Sequence, residues 1–169
     1  MSSKFLPHIP AAEYNDKLSS ERIFDLYELL SAPLHEEMYK RQDFNFLDEL
    51  SEGQQLLISY DYVRMQVQQG GFIQLIQNGY IGLLPDMPEW FTTMGANDMA
   101  KVIDDALKVY VLNRELLDKE TTVEEFAKLY EELKEFEIID ERFQESDAET
   151  VFKITEYIKS HIKEFAVID

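Results

Sequence analysis

Three capping boxes, each a Ser or Thr with Glu or Gln three residues later, stand ahead of apolar runs in this chain: Ser51 with Gln54, Thr122 with Glu125, and Ser146 with Glu149. In such a capping box the hydroxyl accepts from the third residue's backbone N–H and the longer side chain reaches back to the first. Two of the orphan donors that open any α-helix are then satisfied. Behind each box, apolar residues recur at steps of three and four. Leu56, Tyr60, Val63 and Val67 follow the first, and Phe126, Leu129, Tyr130, Leu133 and Phe136 trace one face behind the second. Val151, Ile154, Ile158, Ile162 and Phe165 follow the third. That period is helical, and no segment carries a convincing strand alternation. The pattern predicts an all-α fold: one compact domain of about six to eight helices over residues 20–169. Residues 1–19 read as an irregular arm, because Pro7 and Pro10 remove backbone donors.

The remaining elements follow from the same signals. Ser20 caps a helix carrying Ile23, Leu26, Tyr27 and Leu30, and Pro33 opens the next at its first turn, through Leu34 and Met38 to about Arg41. The helix behind Ser51 runs to about Gln69, where Gly70-Gly71 breaks it. A short helix from Phe72 to Asn78 closes at Gly79, and another, bracketed by Pro85 and Pro88 and containing Trp90 and Phe91, ends at Gly95. Asn97 or Asp98 caps a helix reaching about Leu117, with Met99, Val102, Ile103, Ala106 and Tyr110 facing inward.

Charge narrows the function. The chain has 169 residues, with 34 Asp and Glu against 16 Lys and Arg, a net of −18. It is nonetheless a folding composition, 45% hydrophobic with 11 Phe and 9 Tyr. Such a surface repels nucleic acid and anionic membrane and attracts basic proteins. Fourteen acids lie between Glu115 and Glu149 against Lys119, Lys128, Lys134 and Arg142, a net of −10. Glu124, Glu131 and Glu135 fall near one exposed edge of the helix behind Thr122, with Glu125 and Glu132 beside them. A compact chain of this length spans roughly 40 Å, and duplex DNA that long carries about 24 phosphate charges. The two charges are of the same order.

Catalytic signals are thin. With no cysteine, disulfides, zinc–thiolate sites and thiol catalysis are excluded. His8 lies in the arm, His35 precedes Glu36-Glu37, and His161 sits beside Ile158 and Ile162, where it reads as a half-buried structural residue. His161 and Glu164 alone are half of a metal site at most. Gly70-Gly71 follows a helix and lacks the Gly-Lys-Ser/Thr ending of a phosphate loop. No serine stands in a nucleophile elbow and no acidic loop has calcium spacing. No catalytic residue, metal ligand or cofactor is expected. Met1 to Pro10 does not read as a signal peptide, and no stretch approaches a membrane span, so a cytoplasmic protein is expected.

Val67-Gln68-Gln69-Gly70-Gly71-Phe72, then Gln74-Leu75, Asn78, Gly95-Ala96 and Ala106, form a pattern of their own. It resembles a bacterial family of unknown-function domains that includes a DNA-mimic protein. In that family a helix ends in a Val-Asn-Asn-Gly-Gly-Phe-like motif, and Gln68 and Gln69 here replace the Asn pair. The resemblance implies an all-helical fold, an acidic surface and, for at least one member, competition with DNA for a transcription factor. It assigns Gly70, Gly71, Phe72, Asn78 and Gly95 to the motif, read as structural. The expected partner-binding surface is Glu115, Asp118, Glu120, Glu124, Glu125, Glu131, Glu132, Glu135, Glu137, Asp140 and Glu141, and the expected partner a basic, DNA-binding protein. Homodimerisation stays open. The alternatives are an adaptor or immunity-type protein that neutralises a basic partner without DNA function, and an enzyme with an unrecognised carboxylate site.

Overall fold

The computed structural model describes residues 4–169 and is all-α. Residues 1–3 of the expected arm lie outside the described residues. In chain order come β1 (His8–Ile9), α1 (Ala11–Leu18), α2 (Ile23–Arg41), a 3-10 stretch (Phe44–Glu49), α3 (Glu52–Gln77) and a 3-10 turn (Ile81–Leu83). Then follow α4 (Met87–Thr93), α5 (Asn97–Leu112), α6 (Arg114–Leu117), α7 (Val123–Glu132), α8 (Glu135–Ser160), a 3-10 turn (Ile162–Glu164) and β2 (Val167–Ile168). No helix among the described residues is long and apolar enough to cross a membrane. Two compact units divide the chain, one from residues up to 59 and from 149 onward, the other from residues 60–148.

In the first unit, the box at Ser51 closes reciprocally. Gln54 N–H donates to Ser51 Oγ at 3.2 Å, and Ser51 N–H donates to Gln54 Oε1 at 3.0 Å. The buried Gln54 amide also donates to the Phe5 carbonyl at 2.9 Å, so one side chain starts a helix and fastens the N-terminal segment. Three expectations need correcting here. Pro33 does not open a new helix; it lies inside α2. Leu26, Tyr27, Leu30, Leu34 and Met38 form one unbroken buried stripe across it. A mid-helix proline costs about 3 kcal/mol. Burying each large apolar side chain contributes roughly 1.5–3 kcal/mol, so the stripe prevails. The arm is not irregular throughout, since Ala11–Leu18 is helix. Pro10 occupies its N-cap, where a missing N–H costs little. Finally, β1 and β2 form a two-residue parallel pair, His8 opposite Val167 and Ile9 opposite Ile168. Two residues cannot display an alternation, so nothing in the sequence marks them.

In the second unit, a row of rings forms the core. Tyr60 lies 5.2 Å from Phe91 and 5.9 Å from Phe143, and Phe72 lies 5.7 Å from Phe143 and 6.5 Å from Phe136, centroid to centroid. Gly79 and Gly95 both end helices as anticipated, each with positive φ and a double backbone closure. Gly79 N–H donates to Ile76 O and Tyr80 N–H to Leu75 O, while Gly95 N–H donates to Thr92 O and Ala96 N–H to Phe91 O. Because that closure leads straight on, Ala96 occupies the N-cap position of α5, and no side chain, Asn97 and Asp98 included, caps the helix there. The helix also stops at Leu112, since Asn113 turns its amide back onto the Val109 carbonyl and only the single turn α6 follows. Thr122 caps α7 through Glu125 N–H at 3.2 Å.

The box at Ser146 is not a helix start, because α8 runs through it from Glu135 to Ser160. Phe136, Ile139, Phe143, Asp147, Thr150, Val151, Ile154 and Ile158 keep one buried line in helical register across it. A capping sequence inside an intact stripe has no break to cap. The helix ends before Ile162 and Phe165, which the expected stripe had included.

Pro33→Ala restores one helical hydrogen bond and is expected to stabilise the chain by about 1–2 kcal/mol. Urea unfolding checks this, and a loss of stability would contradict a proline that is merely tolerated.

Candidate acidic interface

The segment from α6 to the first turns of α8 carries the expected acids. Glu115, Asp118, Glu120, Glu124, Glu125, Glu131, Glu132, Glu135, Glu137 and Glu141 are all exposed. They do not share one helix. The stripe from Phe126 to Phe136 is cut at Leu133, where the backbone leaves α7 (φ −113°, ψ 58°). Leu129 on α7 and Phe136, Ile139 and Phe143 on α8 are buried, so each helix turns its glutamates outward independently. On α8, Glu137, Glu141 and Glu145 then stand at successive i,i+4 positions, all exposed. Glu145 is counted among the fourteen acids but not among the expected site residues; with α8 continuous through Ser146 it joins this row. Each like-charge pair of this spacing costs about 0.2–0.5 kcal/mol.

Neutralisation within the chain is sparse. Asp118 accepts from the Tyr110 hydroxyl at 2.6 Å and lies 3.6 Å from Arg114. Arg142 is committed to Asp105 at 2.7 Å. Among the described residues, none of Glu120, Glu124, Glu125, Glu131, Glu132, Glu135, Glu137 and Glu141 lies in an ion pair.

Asp140, expected with these, works inward. At Gly70-Gly71 α3 leaves helical geometry, Gly71 having φ 74° and ψ −175°. Phe72 N–H donates across this break to Asp140 Oδ1 at 2.9 Å, and the Tyr130 hydroxyl donates to the Gly70 carbonyl. A carboxylate thus caps the segment after the break from another helix, a favourable place for negative charge. Burial pushes the Asp140 carboxyl up to about 6; the bond from Phe72 opposes this and nearby Glu137 adds to it. Burial, with Asp140 close by, also raises the Tyr130 phenol, which keeps its proton for Gly70. Beyond the break, Asn78 Nδ2 donates to Gln66 Oε1 at 2.8 Å, and Gln74 Nε2 reaches Gln66 and Gln69, each at 3.2 Å. The motif is a braced bend whose polar residues hold one another.

Asp147, one of the fourteen acids, is buried and receives Arg64 at 2.8 and 3.1 Å, the Tyr60 hydroxyl at 2.5 Å and the Gln68 amide at 3.3 Å. Sequence could have flagged it, since it falls on the apolar line of α8. An open groove of about 690 Å³ lies beside α7, with Ile81, Leu117, Glu120, Val123 and Phe126 among its walls.

The histidines stand apart. His8 pairs with Asp169 at 2.7 Å. His161 is exposed, not half-buried, and stacks on Tyr157 at 3.9 Å. Among the described residues no group of three or more His, Asp or Glu is placed to hold a metal.

Two outcomes are expected. Gly71→Ala should cost about 1–3 kcal/mol, because its φ disfavours a side chain and a Cβ there would overlap the Asp140 carboxylate. Chemical denaturation reads this, and an unchanged midpoint would show that the bend is relaxed. For Asp140 the folded chain holds more protons than the unfolded chain between the ordinary aspartate pKa and about 6. Its contribution to stability is therefore full below about 4 and is lost as pH rises through about 6. Wild type should gain stability relative to Asp140→Asn as pH is lowered from neutral toward that acid range. Urea titrations across the range would reject a buried carboxyl if the difference stayed flat.

Comparison with known proteins bears on the same segments. A family model described as DMP19-like protein matches residues 48–161, which include the braced bend and all the exposed glutamates named above. The comparison with curated proteins gave no match.

Proposed function

The chain belongs to the DMP19-like protein family, and from that premise we propose that it acts as a DNA mimic. Its exposed carboxylates would occupy the basic DNA-binding surface of a transcription factor or another DNA-binding protein. The observation that carries this reading is the set of unpaired, outward glutamates on α7 and α8. Glu124 with Glu125 and Glu131 with Glu132 lie on one side of α7 as two adjacent pairs, about 9 Å apart along the helix axis. The phosphates of one DNA strand are spaced about 3.4 Å apart along the axis. The α8 row steps evenly at about 6 Å, so neither helix alone repeats the phosphate spacing and mimicry draws on both.

The action is competitive. Lysines and arginines that otherwise contact phosphate pair with these carboxylates, and each exposed pair contributes only about 0–1 kcal/mol. Affinity comes from many pairs acting together and is screened as the Debye length contracts from about 10 Å at 0.1 M salt to about 3 Å at 1 M.

The test uses the full chain as immobilised bait beside a variant with Glu124, Glu125, Glu131, Glu132 and Glu135 all changed to Gln. A DNA-binding protein should be retained from cell extract at low salt, released at high salt, displaced by duplex DNA and lost on the variant. Retention indifferent to the five changes would overturn the reading. A retained basic protein with no nucleic-acid function would point instead to an adaptor or immunity role.

A further inference from the structure

The open groove beside α7 is not used by the charge pairing just described. We infer that it seats an apolar anchor on the same basic partner. A Lys- and Arg-rich segment bearing one large apolar side chain docks here, the anchor lying among Ile81, Val123 and Phe126 and the flanking cations on Glu120 and Glu124. The inference rests on the proposed binding of a basic protein and adds where, and by what chemistry, that protein is held.

The walls are fixed before any partner arrives. Gln77 Nε2 donates to the Leu117 carbonyl at 2.6 Å, and the Thr121 hydroxyl donates to Gln77 Oε1 at 2.8 Å, binding the connector after α6 to the end of α3. The Thr122 cap then sets where α7 begins. Its first residue, Val123, is 88% exposed, an apolar side chain that packs on almost nothing. Phe126 is half-buried and edge-on to Tyr130 at 5.3 Å. At about 690 Å³ the space is in the range of sites that enclose a bulky side chain or small ligand.

Charge selects the occupant. Asp118 and Glu120 line the groove against Lys119, and Glu124 and Glu125 follow in the first turn of α7. Asp118 is held by Tyr110 and Arg114, but Glu120, Glu124 and Glu125 are in no ion pair among the described residues. An anion is repelled here, and so is a second copy carrying −18. A cationic segment with an apolar side chain satisfies both halves of the surface, in the arrangement of central anchor and polar rim that concentrates binding energy in interfaces.

The probes are two short synthetic peptides of equal positive charge, one with a central Phe among Lys, Arg and Ser, the other with Ala in its place. Each is titrated by fluorescence anisotropy at low salt against the full chain and against Val123→Gln, which keeps the net charge and alters an exposed position. Wild type should bind the Phe peptide roughly tenfold more tightly than the Ala peptide. Val123→Gln should erase that preference while leaving the Ala peptide's affinity unchanged. Equal binding of the two peptides by wild type, or a preference that survives the substitution, overturns the anchor site and leaves the acidic-surface reading standing. Failure of both peptides to bind removes both proposals together. Self-association of wild type that Val123→Gln abolishes would make a second copy the occupant and overturn the inference.

Discussion

A helix cannot turn as α3 does at Gly71 without taking a backbone N–H out of its helical bond, and a buried donor left unpaired costs about 1–3 kcal/mol. The Asp140 carboxylate takes the donor freed at Phe72. This bond holds three things in place. The ring of Phe72 reaches both Phe136 and Phe143, the segment leading to the Gly79 closure is set in direction, and α8 is held against the bend. Tyr130 fixes the other side through the Gly70 carbonyl, so α7 is tied to the same point.

The carboxylates divide by side-chain length. Those engaged within the second unit are aspartates, among them Asp104 with Lys108, Asp105 with Arg142, Asp118 with Tyr110, Asp140 with Phe72 and Asp147 with Arg64. Those facing outward on α7 and α8 are glutamates. A short side chain loses less rotamer freedom when fixed in one bond. A longer one favours the helix interior and projects its charge into solvent. Net charge alone overstates what a partner can meet, since part of it is spent on the fold.

Local chemistry was legible where it acts alone. The box at Ser51, the cap at Thr122 and the closures at Gly79 and Gly95 could be read from a few adjacent residues. Pro33 and Ser146 misled because a local stop or start signal sat within a longer apolar stripe, and burial along the stripe outweighed it. Asn113 ended α5 through a side-chain bond to its own helix, which apolar periodicity cannot register. The outward glutamates were legible as a composition but not as a pattern. Their arrangement depends on where α7 ends and α8 begins, and the cut at Leu133 lay hidden inside an apparently continuous face. The inward roles of Asp140 and Asp147 arise from residues far apart in sequence.

The row of Glu137, Glu141 and Glu145 is also a stress stored in α8 whenever the chain is free. Mobile cations relieve that repulsion, so added salt makes the unbound chain easier to keep folded. On the proposed function, the same ions would compete with a basic partner and loosen that complex. Folding and the proposed association would therefore answer ionic strength with opposite signs, and dilute buffer, where the free chain is under most strain, is where a bound basic partner would relieve most of it.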